Sequence, residues 1–337
     1  MPALAPRIFV DVILDAIQQS GGSGIYTARS DRVHPRTFLI NYGEQAFSLW
    51  AYIWTVTHGG RENLPDEYRI QMTSVNSPLA LNPDPEGYTA LLGYYPDLKV
   101  FAGFDLRRHK KFTTGSPSVQ IDISAMRDAL QSGLGFSTKD NREVAVGIRP
   151  DQLVTYITNA EALHKYGADA RMLKLLRRAT EIEKIEKKDI RGLASDRQKI
   201  IASISRYSRD ANFRKKVLSA YDNRCAVTRA QLKLVDAAHI LPVPSEESSD
   251  HVTNGIALSP TIHRAFDNGL IYVDERYMMR LNEEKVGELK AVNLDAGLDK
   301  LISFLDTKVH LPADRAQRPN TQYIRKGNKY RRIPGYY

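Results

Sequence analysis

The sequence predicts an α+β protein with an N-terminal mixed α+β domain, a helical linker, and a small C-terminal module that ends in a basic tail. Three observations support this division. Short β-rich segments separated by Pro, Asn and Gly turns fill residues 1–165, a long charged helical stretch follows at 166–205, and a strand–loop–strand–helix pattern lies within 206–310. Residues 311–337 form the tail, and a chain of 337 residues is long enough for two domains.

The N-terminal domain begins with an amphipathic helix at 6–20, where apolar residues recur every three or four positions before two glycines. Segment 44–60 mixes aromatic and β-branched residues, so its pattern fits a helix or a strand. Strands are predicted at 67–72, in YTALLGYY, in LKVFAGFDL, at 118–123 and at 143–148. This order of elements predicts a curved, mostly antiparallel sheet.

The predicted linker, 166–205, has apolar positions three and four residues apart among many charges. This pattern suits a connecting helix, a helix pair or a dimer seam, but its heptads are too broken for a long coiled coil. A separate short helix is predicted to begin at Phe213.

The most informative stretch is 213–267. A short apolar run predicts a strand that ends at His239, and two prolines in a Ser- and Glu-rich segment predict a loop after it. Asn254, followed by glycine, forms a turn before a second short strand. A Ser-Pro pair then predicts the start of a helix that carries His263 and Asp267.

These residues resemble the HNH (ββα-metal) endonuclease family, and in particular its McrA-like restriction branch. The resemblance depends on the phrases RCAVTR, AAHILP, NGIAL and HRAFDNGLI, and on the spacing of His239, Asn254 and His263. It covers 213–281, at most a third of the chain, with a weaker likeness in LPADRAQRP at 311–319. It implies a ββα-metal fold and metal-dependent hydrolysis of double-stranded DNA.

The resemblance assigns catalytic roles to His239, Asn254 and His263. A neutral imidazole readily takes a proton near pH 7, so His239 is the expected general base. By resemblance, Asn254 orients the loop that bears His239 through backbone hydrogen bonds. His263 and Asp267 lie four residues apart on one helix face, where an imidazole and a carboxylate can hold one divalent ion.

The expected metal site departs from the family pattern in one respect. Many family members place a metal ligand immediately before the first histidine, and this chain has Ala238 there. The ion then has only His263 and Asp267 as protein ligands, or it recruits a further carboxylate such as Asp236. A site with few protein ligands favours Mg²⁺ (or Mn²⁺) over Zn²⁺.

Composition and charge fit this interpretation. The net charge of +9 favours a polyanionic partner. The single cysteine, Cys225, excludes an internal disulfide and a Cys-rich zinc site, and is expected to be a small buried hydrophobe. We find no signal-peptide pattern and no apolar run as long as a membrane span, so we expect a cytoplasmic protein with no membrane partner.

Two basic regions are candidate DNA-binding surfaces. The first lies between two phenylalanines, which suits phosphate contact and base stacking, although a solvated loop is the alternative. Its members are Arg107, Arg108, Lys110 and Lys111. The second is the acid-free tail from Arg315, which is either disordered or, as we expect, laid along DNA. Its candidate contacts are Arg325, Lys326, Arg331 and Arg332.

The sequence therefore predicts a metal-dependent DNA endonuclease of restriction type, with the N-terminal domain selecting the target. One active site cuts one strand, so a double-strand break favours a homodimer. Two alternatives stay open: a modification-dependent (methylated-base) defence nuclease, and a non-catalytic DNA-binding protein with a decayed HNH site. The intact His239, Asn254 and His263 argue against the second alternative.

Overall fold

The computed structural model describes residues 4–113, 117–180, 190–305 and 307–336 and divides the chain into two compact units. Unit 1 is Met1–Asn212 and unit 2 is Phe213–Tyr337. Both units contain helices and strands, which confirms the predicted α+β class. Residues 181–189 of the predicted linker and Tyr337 of the predicted tail lie outside the described residues.

The strands of unit 1 are short and numerous, as the turn-rich sequence predicts. In chain order they are β1 (Ser23–Tyr26), β2 (Arg36–Tyr42), β3 (Gln45–Thr55), β4 (Thr57–His58), β5 (Glu67–Gln71), β6 (Tyr88–Tyr95), β7 (Val100–Phe104), β8 (Ser118–Asp122), β9 (Leu134–Thr138) and β10 (Val144–Ile148). The main sheet has seven strands in the order β1–β2–β3–β6–β7–β10–β9, and β4, β5 and β8 form a second sheet.

The main sheet is mostly antiparallel, as predicted. Its only parallel pair among the described strands is β3 with β6. Segment 44–60, which fitted a helix or a strand, forms β3. Alternate residues Phe47, Leu49, Ala51 and Ile53 are buried in one core cluster, and this period of two is that of a strand.

The helices that begin in unit 1 are α1 (Pro6–Gln19), α2 (Leu106–His109), α3 (Ile123–Ser132), α4 (Leu153–Tyr166), α5 (Ala170–Thr180) and α6 (Ser195–Ala220). Helix α1 matches the predicted amphipathic helix and buries its apolar stripe in the core of unit 1. No prediction from the sequence covers α3 or β9, which lie between two correctly predicted strands.

The structure corrects the predicted linker. Residues Met172, Leu176 and Ala179 of α5 are fully or almost fully buried in the same core as the main sheet, together with Ile201 and Ile204 of α6. Most of 166–205 therefore belongs to unit 1, because its apolar stripe is used for packing. The separate helix predicted from Phe213 is also wrong. Helix α6 runs through that position without interruption, since 206–219 contains no Pro or Gly.

Unit 2 is built around two small hairpins and several short helices. Its strands are β11 (Asp236–His239), β12 (Gly255–Leu258), β13 (Ile271–Val273) and β14 (Met279–Leu281). The helices that lie wholly within it are α7 (Pro260–Asp267), α8 (Glu283–Ala291), α9 (Leu298–Ile302) and α10 (Thr321–Tyr330). Buried side chains from α6, both hairpins, α7 and α10 form one hydrophobic core.

The described part of the basic tail is folded, which corrects the disordered alternative. Helix α10 buries Ile324 in the core of unit 2. The amide of Asn328 donates a hydrogen bond to the carbonyl of Val273 at 2.9 Å, and the Tyr277 hydroxyl donates to the carbonyl of Pro319 at 3.0 Å. The described part of the tail is therefore an integral part of unit 2, because its apolar side chains pack in the core and its amide side chain forms a hydrogen bond there.

A buried carboxylate in unit 1 makes its stability dependent on pH. Glu143 is 5% exposed and contacts His109 Nε2 at 2.7 Å and Lys139 Nζ at 3.2 Å. Burial raises its pKa, but the contacts with His109 and Lys139 outweigh burial and lower the pKa from 4.5 to about 2. A lowered pKa means that ionised Glu143 stabilises the folded state above about pH 4.5. This contribution is lost as the pH falls toward 2.

We expect Glu143→Gln to destabilise unit 1 by up to about 3 kcal/mol at pH 7, because one pKa unit corresponds to about 1.4 kcal/mol. The difference from the parent should shrink between pH 5 and pH 2. Urea unfolding followed by tryptophan fluorescence measures this in unit 1, which contains both tryptophans, Trp50 and Trp54. Glu161→Gln, at an exposed carboxylate, is the control. An unchanged pH dependence in Glu143→Gln would contradict the assignment.

Candidate active site

The site is built on the hairpin of β11 and β12 and on helix α7. The two strands are antiparallel, and His239 at the end of β11 lies opposite Gly255. A β-carbon at Gly255 would lie 2.2 Å from Cγ2 of Val217, so only glycine lets α6 pack this closely against the hairpin. Gly255 therefore allows the end of β11, which carries His239, to lie directly against α6.

Helix α7 starts where the sequence predicts. Ser259 is its N-cap and Pro260 its first residue, although the Ser259 side chain makes no capping bond. His263 and Asp267 lie one turn apart and contact each other, with His263 Nε2 3.2 Å from Asp267 Oδ2. Ile262 and Phe266 are buried on the opposite side of the helix. The polar pair thus faces away from the core.

His239 is held on three sides. Its ring stacks on Phe213 with centroids 3.7 Å apart and an interplanar angle of 11°. Its Nε2 lies 3.1 Å from Oδ1 of Asp250, and its carbonyl accepts a hydrogen bond from Arg331 Nη2 at 3.1 Å. The side chain is 17% exposed. These contacts restrict the imidazole to one orientation.

Asn254 is fully buried and bonds to the loop between β11 and β12. Its Oδ1 accepts from the backbone N–H of Leu241 at 2.8 Å, and its Nδ2 donates to the carbonyls of Leu241 and Ser249 at 3.1 and 2.9 Å. Its own carbonyl accepts from the N–H of Ile240 at 2.8 Å. Asn254 therefore ties down the backbone that follows His239, and it does not line the site cavity.

His263 lies between two carboxylates. Its Nδ1 is 3.6 Å from Oδ2 of Asp236, and Asp236 in turn accepts a hydrogen bond from Arg214 at 3.0 Å. Burial lowers the pKa of His263, but the contacts with Asp236 and Asp267 outweigh it and raise the pKa to about 9. The same contact with His263 lowers the pKa of Asp236. The site therefore concentrates negative charge around one imidazole.

His239, His263 and Asp267 line one cavity of about 570 Å³. Its other walls are Ala237, Pro242, Val243, Pro244, Asn268, Tyr330 and Arg331. The predicted general base and the predicted metal-ligand pair are therefore brought together, whereas Asp236 contributes only through His263. The residue before His239, Ala238, is 1% exposed in the core of unit 2, so the cavity receives no ligand from that position.

The predicted DNA-binding residues have different environments. Arg107 contacts Asp105 and Glu161 at 3.2 and 3.1 Å, Arg108 lies near Asp105, Lys110 is half-buried and Lys111 is exposed. In the tail, Arg325 and Lys326 are exposed and pair with Glu275 and Glu247, and Arg332 is exposed.

Arg331 is the exception, since its side chain is only 4% exposed and lines the active-site cavity. Arg331 therefore lies in the cavity wall and not on the exposed surface of the tail. DNA contact by all eight residues stays a prediction.

Sequence reasoning missed two residues of the site, Asp250 and Arg214, and it named a third, Arg331, only as a DNA contact of the tail. Asp250, Arg214 and Arg331 contact His239, Asp236 and Asp267 from outside the recognised phrases. Asp250 sits in a Ser-rich loop and Arg331 in a run of basic residues, so nothing in their local patterns distinguishes them.

Comparison with known families agrees with this geometry. Residues 225–274 match the family described as HNH endonuclease, and residues 47–157 match the family described as Methylase-associated X1. The chain therefore contains an HNH endonuclease domain in unit 2, which confirms the predicted resemblance. It is an endonuclease whose unit 1 carries a domain of the second family. No curated protein sequence matches the chain at a significant level.

One solved structure, described as "Modification dependent TagI restriction endonuclease", also matches the chain. The match has 11% sequence identity and covers 85% of this chain and 82% of that chain. Its TM-score of 0.30 is too low to show a common fold. Among the described residues, no helix is long and apolar enough to span a bilayer.

Nucleases of the HNH class typically use a divalent metal ion, and the donor chemistry here fits one. Imidazole and carboxylate are suitable ligands, and His263 Nε2 and Asp267 Oδ2 lie next to each other on the cavity wall. Within the described ranges, no group of three or more His, Cys, Asp or Glu side chains forms a metal centre. An ion held by these two side chains would complete its coordination shell with water.

Proposed function

We propose that the protein is a metal-dependent DNA endonuclease of restriction type that hydrolyses phosphodiester bonds. The observation that supports this is the shared cavity, which is lined by His239 and by the His263–Asp267 pair. The cationic chain, with a net charge of +9, suits double-stranded DNA as the partner. A non-catalytic role is not favoured, because His239, His263 and Asp267 line one cavity.

His239 acts as the general base in this proposal. With its Nε2 proton directed at the Asp250 carboxylate, the ring carries its lone pair on Nδ1, where it can accept a proton from the attacking water. Asp250 then stabilises the imidazolium that forms. Stacking on Phe213 and the backbone bonds of Asn254 keep the ring in place, so little reorganisation is needed during the reaction.

His263 Nε2 and Asp267 would hold the divalent ion, Mg²⁺ or Mn²⁺. When bound, the ion supplies a Lewis acid for the scissile phosphate and for the leaving 3′ oxygen. The pKa of His263 is about 9, so binding of the ion has to release a proton from this imidazole. The Asp236 carboxylate, 3.6 Å from Nδ1 of His263, would orient the ring through the Nδ1–H group, as carboxylates beside metal-bound histidines commonly do. Asp236 is thus a supporting residue in this proposal.

Unit 1 would select the target. Its match to a methylase-associated family makes DNA methylation the property most worth testing, and it favours a modification-dependent nuclease as the second candidate function. A module as small as unit 2 makes few base contacts, so target choice by the other domain is physically reasonable. A homodimer would allow cleavage of both strands.

Plasmid cleavage tests both the metal-dependent nuclease activity and the choice between the two candidate functions. We expect nicking or linearisation with Mg²⁺ or Mn²⁺, and none with EDTA, because the His263–Asp267 pair alone provides no Lewis acid. The same assay on methylated and unmethylated copies of one plasmid then distinguishes the two candidates. Cleavage of only the unmethylated copy fits a conventional restriction enzyme, and cleavage of only the methylated copy fits a modification-dependent one. Undiminished cleavage in EDTA would reject the metal assignment.

A further inference from the structure

Arg331 connects two parts of the candidate active site, the end of strand β11 and the end of helix α7. Its Nη1 donates to the carbonyl of Ile240 at 2.5 Å, and its Nη2 donates to the carbonyl of His239 at 3.1 Å. The same Nη2 lies 3.4 Å from Oδ1 of Asp267. One guanidinium therefore contacts the strand end that carries the proposed base and the helix end that carries the proposed metal ligand.

The guanidinium is fixed in this position. Its central carbon lies 4.2 Å from the centre of the Phe266 ring, and the side chain is 4% exposed. Its Nε is buried without a hydrogen-bond partner among the residues that the structure describes. Leaving a buried donor unsatisfied costs free energy, so the remaining donors have to be well placed to keep the side chain inside.

The helix that leads into Arg331 approaches the same strand closely. A β-carbon at Gly327 would lie 2.3 Å from the carbonyl oxygen of Ile240 and 3.2 Å from Arg331 Nη1. Glycine at this position thus allows α10 to contact the backbone directly after His239. Both residues lie outside 225–274, the segment that matches the HNH endonuclease family.

We propose that Arg331 is a positioning residue for DNA cleavage, which holds the His239 backbone and the Asp267 carboxylate in a fixed relation. The proposal rests on the proposed nuclease function of these two residues. A planar guanidinium suits this role because its donors point in several fixed directions at once. A lysine in its place carries the charge on a single nitrogen and cannot make the same set of contacts.

This role differs in its consequences from the DNA-phosphate contact that the basic tail predicts. A phosphate contact contributes to affinity and to its salt dependence, by roughly 0.9 in the slope of log affinity against log salt for each phosphate. A positioning residue contributes to the rate on DNA that is already bound. The two roles are therefore separated by measuring binding and single-turnover cleavage on the same variants.

The experiment compares Arg331→Ala, Arg331→Lys and the parent full-length protein on a DNA substrate that the parent cleaves, with saturating Mg²⁺. We expect both variants to lose about 10- to 100-fold in single-turnover rate, as is typical when a supporting contact of a catalytic group is removed. DNA affinity in Ca²⁺ and its salt dependence should stay within about twofold of the parent. Ethylguanidinium should restore part of the rate of Arg331→Ala, and ethylammonium at the same ionic strength should not.

Three further variants test the close approach of α10 and control for folding and charge. Gly327→Ala should lose rate in the same way, because its β-carbon would press on the Ile240 carbonyl, whereas Gly287→Ala, with open space around it in α8, should behave as the parent. Lys290→Ala removes an exposed positive charge from helix α8, outside the basic tail, and should retain the rate. Thermal unfolding identifies any variant that has lost its fold. If Arg331→Ala has lost its fold, the cleavage rate of Arg331→Lys tests the proposal.

A parent rate in Arg331→Lys on saturated DNA would overturn the proposal. A loss seen only in affinity and salt dependence would also overturn it, and would restore the phosphate-contact interpretation. Failure of the parent itself to cleave any DNA would instead reject the proposed function, so the two failures are distinguishable.

Discussion

Replacing His239 by alanine is expected to lower the single-turnover cleavage rate by roughly 10²- to 10⁴-fold while leaving DNA affinity almost unchanged. The reason is that His239 is the only imidazole that lines the described cavity other than His263, which faces carboxylates through both nitrogens. Removing a general base raises the barrier of the chemical step and leaves the contacts with bound DNA in place. Single-turnover cleavage at saturating enzyme, together with binding measured in Ca²⁺, separates the two effects.

The matched control is His251→Ala, which removes an exposed imidazole from the same loop. It should cleave at the parent rate. Asp250→Asn should show an intermediate loss, because the amide still contacts His239 Nε2 but no longer stabilises a positive charge. Near-normal turnover of a folded His239→Ala protein would show that another group takes the proton.

Replacing the proposed metal ligands should change the metal requirement as well as the rate. We expect the Mg²⁺ or Mn²⁺ concentration for half-maximal cleavage to rise in both His263→Ala and Asp267→Ala, with the larger effect in His263→Ala. An ion with only two protein ligands loses one of them in either variant. Removing a residue that merely supports a metal ligand already lowers metal affinity by roughly 10- to 100-fold, so we expect a loss of at least this size. A metal titration of the cleavage rate measures this.

Asp236→Asn serves as the comparison variant, because its carboxylate contacts His263 Nδ1 but does not line the cavity. It should shift the metal requirement less than His263→Ala does. Asp299→Asn, on helix α9, carries the same change of charge away from the cavity and should match the parent. If His263→Ala and Asp267→Ala both kept the parent's metal dependence, the ion would have to bind elsewhere, and Asp236 would be the next residue to test.

The local part of the site was predictable because it is encoded in short patterns. A strand end at His239, an Asn-Gly turn and a Ser-Pro helix start each depend on neighbouring residues, and together they fix the order of the site elements. The alternation that defines β3 was also present in the sequence. The alternation was difficult to recognise because residues 51–54 are all buried, so both faces of this part of the strand are covered.

The distant contacts were not predictable from composition. A tail with seven basic and no acidic residues from Arg315 onward suggested solvent or DNA, yet α10 is held by Ile324, Asn328 and the inward-facing Arg331. The same holds for the linker, whose apolar stripe was visible in the sequence but whose packing partner, the core of unit 1, was not. Charge counts do not show which side of a helix is covered, and that depends on tertiary packing.

The continuity of helix α6 limits how the modules of this enzyme can be recombined. A chimera joined at the unit boundary would cut the helix between Asn212 and Phe213. The donor nuclease would then begin at the very residues, Phe213 and Val217, that stack on His239 and pack at Gly255. A junction in the turn at Gly192, before the helix starts, keeps these residues on an intact helix. Because Ile201 and Ile204 of the same helix are buried in the core of unit 1, an exchange that keeps 195–220 with the nuclease also has to match these two residues to the core of the incoming domain.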